Sequence, residues 1–215
     1  MRNEYNSKIQ KILGLGKRFP LFSFDTFSSI EKNRVYLKIL FARAVKSGKI
    51  IRLKKGFYVT REYIENIRKN QRLSAYIEFL ANDINPHSYL SLEYVLYRYN
   101  ILTEIPVNYT SITENKTKSF SNDLGVFLYH KIKKELFCGY SIKKEGDYSI
   151  AEASKSKALF DFLYLRKNSL MDISAIKELR LNLEGFSSKD ILEFKNYINI
   201  EGSKKMKQIF VWLFK

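Results

Sequence analysis

The chain has 215 residues, 45% of them hydrophobic and 15% aromatic, and a formal net charge of +16. A single cysteine, Cys138, excludes an internal disulfide, and no apolar run approaches the ~18–20 residues of a membrane helix. The charge is uneven: residues 1–70 hold 17 Lys/Arg against 5 Asp/Glu, and residues 71–215 hold 21 against 17, so a basic module joined to a nearly neutral one is expected, with a polyanion as its partner.

In chain order, Tyr5, Ile9, Ile12 and Leu13 recur at helical spacing and predict a first helix near residues 3–13, stopped by Gly14. After Pro20, Asp25 is placed to cap a second short helix with Phe27 and Ile30 inward. Asn33 is placed to cap a third, in which Leu37, Leu40, Phe41, Ala44 and Val45 follow the spacing of one buried face. The run "SGKIIRLKKGFYVT", residues 47–60, then reads as a β-hairpin. Its loop is Lys54-Lys55-Gly56, Leu53 pairs with Phe57 on a single buried face, and Arg52, Lys54 and Lys55 point outward.

Three helices and a hairpin in that order describe a winged helix-turn-helix. In such a fold the third helix enters the major groove of DNA and the hairpin lies beside it, which explains cations on both. The candidate contacts are Asn33, Arg34 and Tyr36 in the helix's first turn, Lys38 and Lys46 along it, and Lys49, Arg52, Lys54 and Lys55 on the hairpin. Val35 and Ile39 lie close to the row of Arg34, Lys38, Ala42 and Lys46, which leaves the exposed stripe of this helix open.

Beyond a polar stretch at residues 68–72, Leu73, Tyr76, Ile77, Leu80, Ala81 and Ile84 predict a helix ended by Asn85-Pro86. Ser91 is placed to cap the next. Short β-prone runs at 107–113, 126–132, 136–142 and 148–151 predict a small antiparallel sheet. A helix over 154–166 has Ala158, Leu159, Phe162 and Leu165 inward, and further helices start at Asp172 and at Ser187 or Ser188. The C-terminal "KKMKQIFVWLFK" reads as a segment that closes a core, with Trp212 as its anchor; a partner-binding or membrane-surface face is the other reading. The expected fold class is α+β: an N-terminal winged helix-turn-helix, residues 1–70, then a mixed α/β domain, residues 71–215, with a small antiparallel sheet and C-terminal helices.

Chemistry is sparse. His87, His130 and Cys138 make no metal-ligand spacing, and no cofactor or metal is expected. Glu114-Asn115-Lys116 has the acidic-x-Lys pattern of some metal-dependent nucleases, but that chemistry needs a second carboxylate, and the near upstream acids are Glu104 and Asp83. No apolar stretch precedes a small-residue cleavage site near residue 1, so the expected location is the cytoplasm.

Five stretches together resemble one family: "GKIIRLKKGFYV" at 48–59, "YLSLEYVLYRYNIL" at 89–102, "YTSITENKTKSF" at 109–120, "FLYHKIKKELFCGY" at 127–140 and "IAEASKSKALFDFLYL" at 150–165. In this order they resemble the AbiEi-type antitoxins, transcriptional regulators of abortive-infection, type IV toxin-antitoxin pairs. Lys155-Ser156-Lys157-Ala158 stands where that family usually shows Pro-Glu-Lys-Ala. The resemblance implies a non-enzymatic protein whose winged helix binds operator inverted repeats in double-stranded DNA and represses its own operon. It further implies a second domain that counters a nucleotidyltransferase-like toxin, with or without a stable complex; no membrane partner is expected, because no apolar run has the length of a membrane helix. It places Asn33, Arg34, Tyr36, Lys38, Arg52, Lys54 and Lys55 on the recognition helix and wing. Two other readings stay open: a solitary regulator with a ligand-sensing second domain, and a metal-dependent nuclease.

Overall fold

The computed structural model of the chain describes residues 2–214, with side chains from Ser7 onward. Helix α1 (Arg2–Gly16) buries Ile9 and Ile12. The side chain of Tyr5 lies outside the described residues. The helix runs through Gly14, the expected stop, and ends at Gly16. A β-carbon on Gly16 would stand 3.0 Å from Thr60 Cγ2 and 3.2 Å from Phe22 Cε1, so the missing side chain is what lets the helix end approach so closely.

The expected second helix is a single 3-10 turn, Asp25–Phe27. Ser23 explains it: its backbone N–H donates to Thr26 Oγ1, and its own Oγ accepts from the Asp25 N–H. Such short side-chain bonds satisfy the backbone locally and compete with a longer helix. Asp25 opens the turn without capping it.

Helix α2 (Arg34–Lys46) starts where Asn33 accepts hydrogen bonds from the N–H groups of Val35 and Tyr36, and it buries Leu37, Leu40, Phe41 and Ala44. Strands β1 (Ile50–Lys54) and β2 (Phe57–Thr60) form an antiparallel hairpin, with Gly56 at φ +86° in its loop. The register sets Arg52 opposite Tyr58 and Lys54 opposite Phe57, so Leu53 is an extra residue in a bulge and is not the partner of Phe57. Burial is two-sided: Ile50 and Tyr58 join the aromatic core on one face, while Ile51, Leu53 and Val59 are buried on the other. Phe22 adds a one-residue bridge to β2, exchanging two backbone hydrogen bonds of 2.9 Å with Tyr58. The rings of Phe22, Phe24, Phe27, Phe41 and Tyr58 stand 5.0 to 6.3 Å apart, mostly tilted or edge-on. Helix α3 (Arg61–Lys69), capped by the Thr60 hydroxyl, packs on β2.

Helix α4 (Leu73–Ile84) leads to β3 (Ser88–Leu90), α5 (Leu92–Arg98), β4 (Tyr109–Thr113), β5 (Lys118–Asn122), β6 (Gly125–Lys131), β7 (Tyr140–Glu145) and β8 (Tyr148–Ala153). The strands make one sheet in the order β5-β6-β4-β3-β8-β7. It is larger than expected and mixed rather than antiparallel: β3 runs parallel to β8 and β4 parallel to β6, while β3/β4 and β7/β8 are antiparallel. Central β4 is buried from Thr110 to Thr113, as strands with parallel neighbours usually are.

Helix α6 (Lys155–Arg166), capped by Ser154, packs against α5 and α8 (Ser188–Glu201). It is buried on nearly every side, Ser156 to Leu163 without a break, whereas Leu165, expected inward, is 36% exposed. Asp172 caps α7 (Ile173–Glu178), and Ser187 and Asp190 form a capping box on α8. In α9 (Lys204–Phe214) the fully buried residues are Met206 and Ile209. Trp212 is half-buried under Lys205, so it is not the anchor.

The class is α+β, with nine α-helices and two sheets among the described residues. None of those helices is long and apolar enough to cross a membrane. The chain divides into two units: the first runs to Leu80 and takes in Phe120–Gly125, and the second holds Ala81–Ser119 and continues from Val126.

Candidate nucleic-acid interface

Between α2 and the hairpin lies an open groove of about 910 Å³. Arg34, Lys38, Ala42 and Val45 face it from α2, and Arg52, Lys55, Gly56, Phe57 and Tyr58 from the hairpin. Ser23, Phe24 and Asp25 complete its wall. The α2 residues sit at i, i+4, i+8 and i+11, a single row on a helix of 3.6 residues per turn. Opposite them Arg52 is the exposed residue of β1, because the strand alternates and its neighbours Ile51 and Leu53 are buried.

Four of the nine residues singled out in the sequence therefore line one groove: Arg34, Lys38, Arg52 and Lys55. All four are exposed. Tyr58 forms part of the apolar floor; burial raises its phenol above the ordinary tyrosine value against a smaller opposing pull from Arg52, so it stays neutral at physiological pH. Arg34 Nη1 lies 3.6 Å from Asp25 Oδ1, an ion pair exposed on both sides.

The other five sit elsewhere. The Asn33 side-chain oxygen is engaged at the start of α2, 3.0 and 3.1 Å from the N–H groups of Val35 and Tyr36. Tyr36 packs half-buried against the core, with Lys8 Nζ 5.2 Å above its ring. Lys46 is exposed in the last turn of α2. Lys49 faces a separate depression of about 250 Å³ shared with Arg61, Glu62 and Glu65. Lys54 lies half-buried, with Nζ 4.3 Å from the ring of Phe57 and 5.8 Å from that of Phe120, so it is not the outward residue the alternation implied. The bulge at Leu53 shifts the strand's phase and turns Lys54 toward these rings.

Sequence reasoning missed the place of Ser23, Phe24 and Asp25 in the groove, and it reads Asp25 only as a helix cap. The signal was present in the Ser-Phe-Asp-Thr spacing, a side-chain-bonded turn. It also missed a buried polar network in the second unit. Lys157 and Asp161 are 0% exposed and ion-paired, Ser91 Oγ donates to Asp161 Oδ2 at 2.8 Å, and Tyr89 Oη donates to the same atom at 3.1 Å. The Ser91 hydroxyl is thereby used inside the protein and makes no cap on α5. Burial pushes the Asp161 carboxyl above its ordinary value, and Lys157, Ser91 and Tyr89 oppose that rise.

Glu114, of the acidic-x-Lys triplet, follows β4 half-exposed. Among the described residues no three His, Cys, Asp or Glu side chains gather where they could share a metal ion. No family model matches the chain, and no curated protein matches it.

Proposed function

We propose that this protein is a cytoplasmic, non-catalytic regulator that binds duplex DNA through its first unit, used as a winged helix-turn-helix. In this reading α2 is the recognition helix, the β1/β2 hairpin is the wing, and the 3-10 turn stands in for the middle helix. The observation that carries it is the convergence of Arg34, Lys38, Arg52 and Lys55 on one groove bordered by that helix and that hairpin. A duplex presents a rail of phosphates about 1.7 Å apart along its axis, and exposed cations on two adjacent elements match such a rail where a single basic helix would not. The one-residue bridge from Phe22 to Tyr58 holds the hairpin against the aromatic core and supports its use as a rigid wing.

The stretches that resemble AbiEi-type antitoxins extend the proposal. The bound sites would be inverted repeats in the protein's own promoter, and the second unit would counter a nucleotidyltransferase-like toxin.

The test is binding of random-sequence duplex DNA as a function of salt. Each phosphate contact contributes about −0.9 to the slope of log affinity against log salt. Replacing Arg34, Lys38, Arg52 and Lys55 together by Ala should weaken binding and flatten the slope by about 3 to 4. Lys49→Ala, which faces another depression, should leave the slope unchanged. Equal slopes for the wild type and a folded quadruple variant would remove the groove from the interface.

A further inference from the structure

The solvent face of α2 carries more than cations. Val35 is 66% exposed and Ile39 42% exposed, and Ala42 is exposed beside them. At i, i+4 and i+7 these three form one stripe, and Lys46 continues it at i+11. The strip is aliphatic and exposed, and the helical spacing sets cations on either side of it: Arg34 and Lys38 on one flank and Arg43 on the other.

The flanking charges identify what covers it. A protein partner would have to present acidic groups on both flanks of an apolar ridge, whereas the major groove supplies that pattern at every step, with phosphates on both walls and base edges on the floor. The one apolar group on that floor is the thymine 5-methyl. The groove is about 12 Å wide, which admits a helix about 10–12 Å in diameter. Asn33, the polar residue best placed for bidentate readout of a base, has its carbonyl oxygen tied up at the start of α2.

Resting on the DNA-binding reading above, we propose that Val35 and Ile39 read thymine methyl groups, so that this protein's sequence preference depends on methyl contacts in the major groove. At 1.5 Å of rise per residue the two side chains lie about 6 Å apart along the helix, close to two base-pair steps of about 3.4 Å. The preferred sites then carry thymines about two steps apart.

The experiment selects duplexes from a random-sequence library with the full-length protein. The winners are then resynthesised with deoxyuridine for thymidine, which deletes the methyl and leaves every hydrogen-bonding edge intact. Binding of both forms is measured by fluorescence anisotropy for the wild type, Val35→Ser and Ile39→Ser, at exposed positions where Ser leaves the core untouched. Deoxyuridine should weaken the wild type about threefold to fourfold for each contacted methyl, and that penalty should shrink toward unity in the Ser variant that lost the matching contact. Tight binding that ignores the methyl, or a penalty undiminished in both variants, overturns the proposal while leaving DNA binding in place. A loss of self-association in Ile39→Ser, by sedimentation of the free protein, together with an unchanged deoxyuridine penalty, reassigns the stripe to an interface between copies and also overturns it. Failure to enrich any duplex is a different result: it removes the DNA reading itself.

Discussion

Asp25 and Arg34 face each other at 3.6 Å on the wall of the groove, a carboxylate set among the cations that would meet phosphate. Both are exposed, so the pair adds little to folding. Its effect should fall on binding, because an anion at this position repels the DNA backbone and holds Arg34 partly neutralised. Asp25→Asn should raise affinity for non-specific duplex several-fold at low salt, a gap that narrows at high salt as screening sets in. Stability by urea unfolding should stay within about 0.5 kcal/mol. Weaker binding by this variant would mean that Asp25 orients Arg34 productively.

Lys157 and Asp161 are a buried pair with opposite consequences for single and double substitution. Asp161→Ala leaves a buried ammonium without its counter-charge and should cost about 3–5 kcal/mol. Lys157→Met with Asp161→Leu removes both charges together and should cost less than either single change. Urea unfolding followed by circular dichroism checks the order. Additive losses would show that the two charges do not depend on each other.

Asp190 gives a pH-dependent case. Partial burial tends to raise its carboxyl, but hydrogen bonds from Lys155 and Ser187 outweigh this and hold it below its ordinary value. A lowered carboxyl contributes stability that is complete above the unfolded value, about 3.9, and is lost as pH falls through the folded one. Asp190→Asn should therefore cost about 0.5–2 kcal/mol at pH 7, the range for losing a helix cap. The difference from wild type should close as the pH drops below about 4. A gap that persists in acid would assign the effect to shape and not to charge.

Gly14 and Gly16, two residues apart in α1, should respond in opposite directions to the same change. A β-carbon at Gly14 meets nothing within 4 Å, so Gly14→Ala should stabilise by about 0.5–1 kcal/mol through helix propensity. At Gly16 the added methyl strikes Phe22 and Thr60, both 1% exposed, and Thr60 is further held by its bond to the Tyr63 N–H. Gly16→Ala should cost about 1–3 kcal/mol, the usual range for overpacking. Melting temperatures of the two variants would suffice to compare them.

Most of what could be read from residues alone depends on near neighbours in sequence, although Gly14, Asp25 and Ser91, read in the same local way, do not act as the stop and caps expected of them. The buried face of α2, the Asn33 start, the caps at Asp172 and Ser187, and the hairpin loop at Gly56 all follow from spacings of a few residues. The mixed sheet does not, because the parallel pairs β3/β8 and β4/β6 join strands separated by other elements, and nothing in the alternation of one strand names its partner. Lys54 and Lys55 show the limit at the candidate site. They are adjacent and chemically identical, yet one meets Phe120, 66 positions along the chain, while the other faces the groove. The bulge that separates their fates leaves no local mark.

The first unit is assembled from two separate lengths of the polypeptide, and this has a genetic consequence. Asn122 Nδ2 donates to the Leu53 carbonyl at 3.0 Å, and Asp123 stands 3.7 Å from Arg61. A reading frame stopped after codon 80 therefore encodes a hairpin that keeps its bridge to Phe22 but lacks the Asn122 contact, and an α3 without Asp123, so no single cut yields both halves whole. On the proposed DNA-binding role, lesions in codons 120–125 should weaken duplex binding although they lie far downstream of α2 and the hairpin.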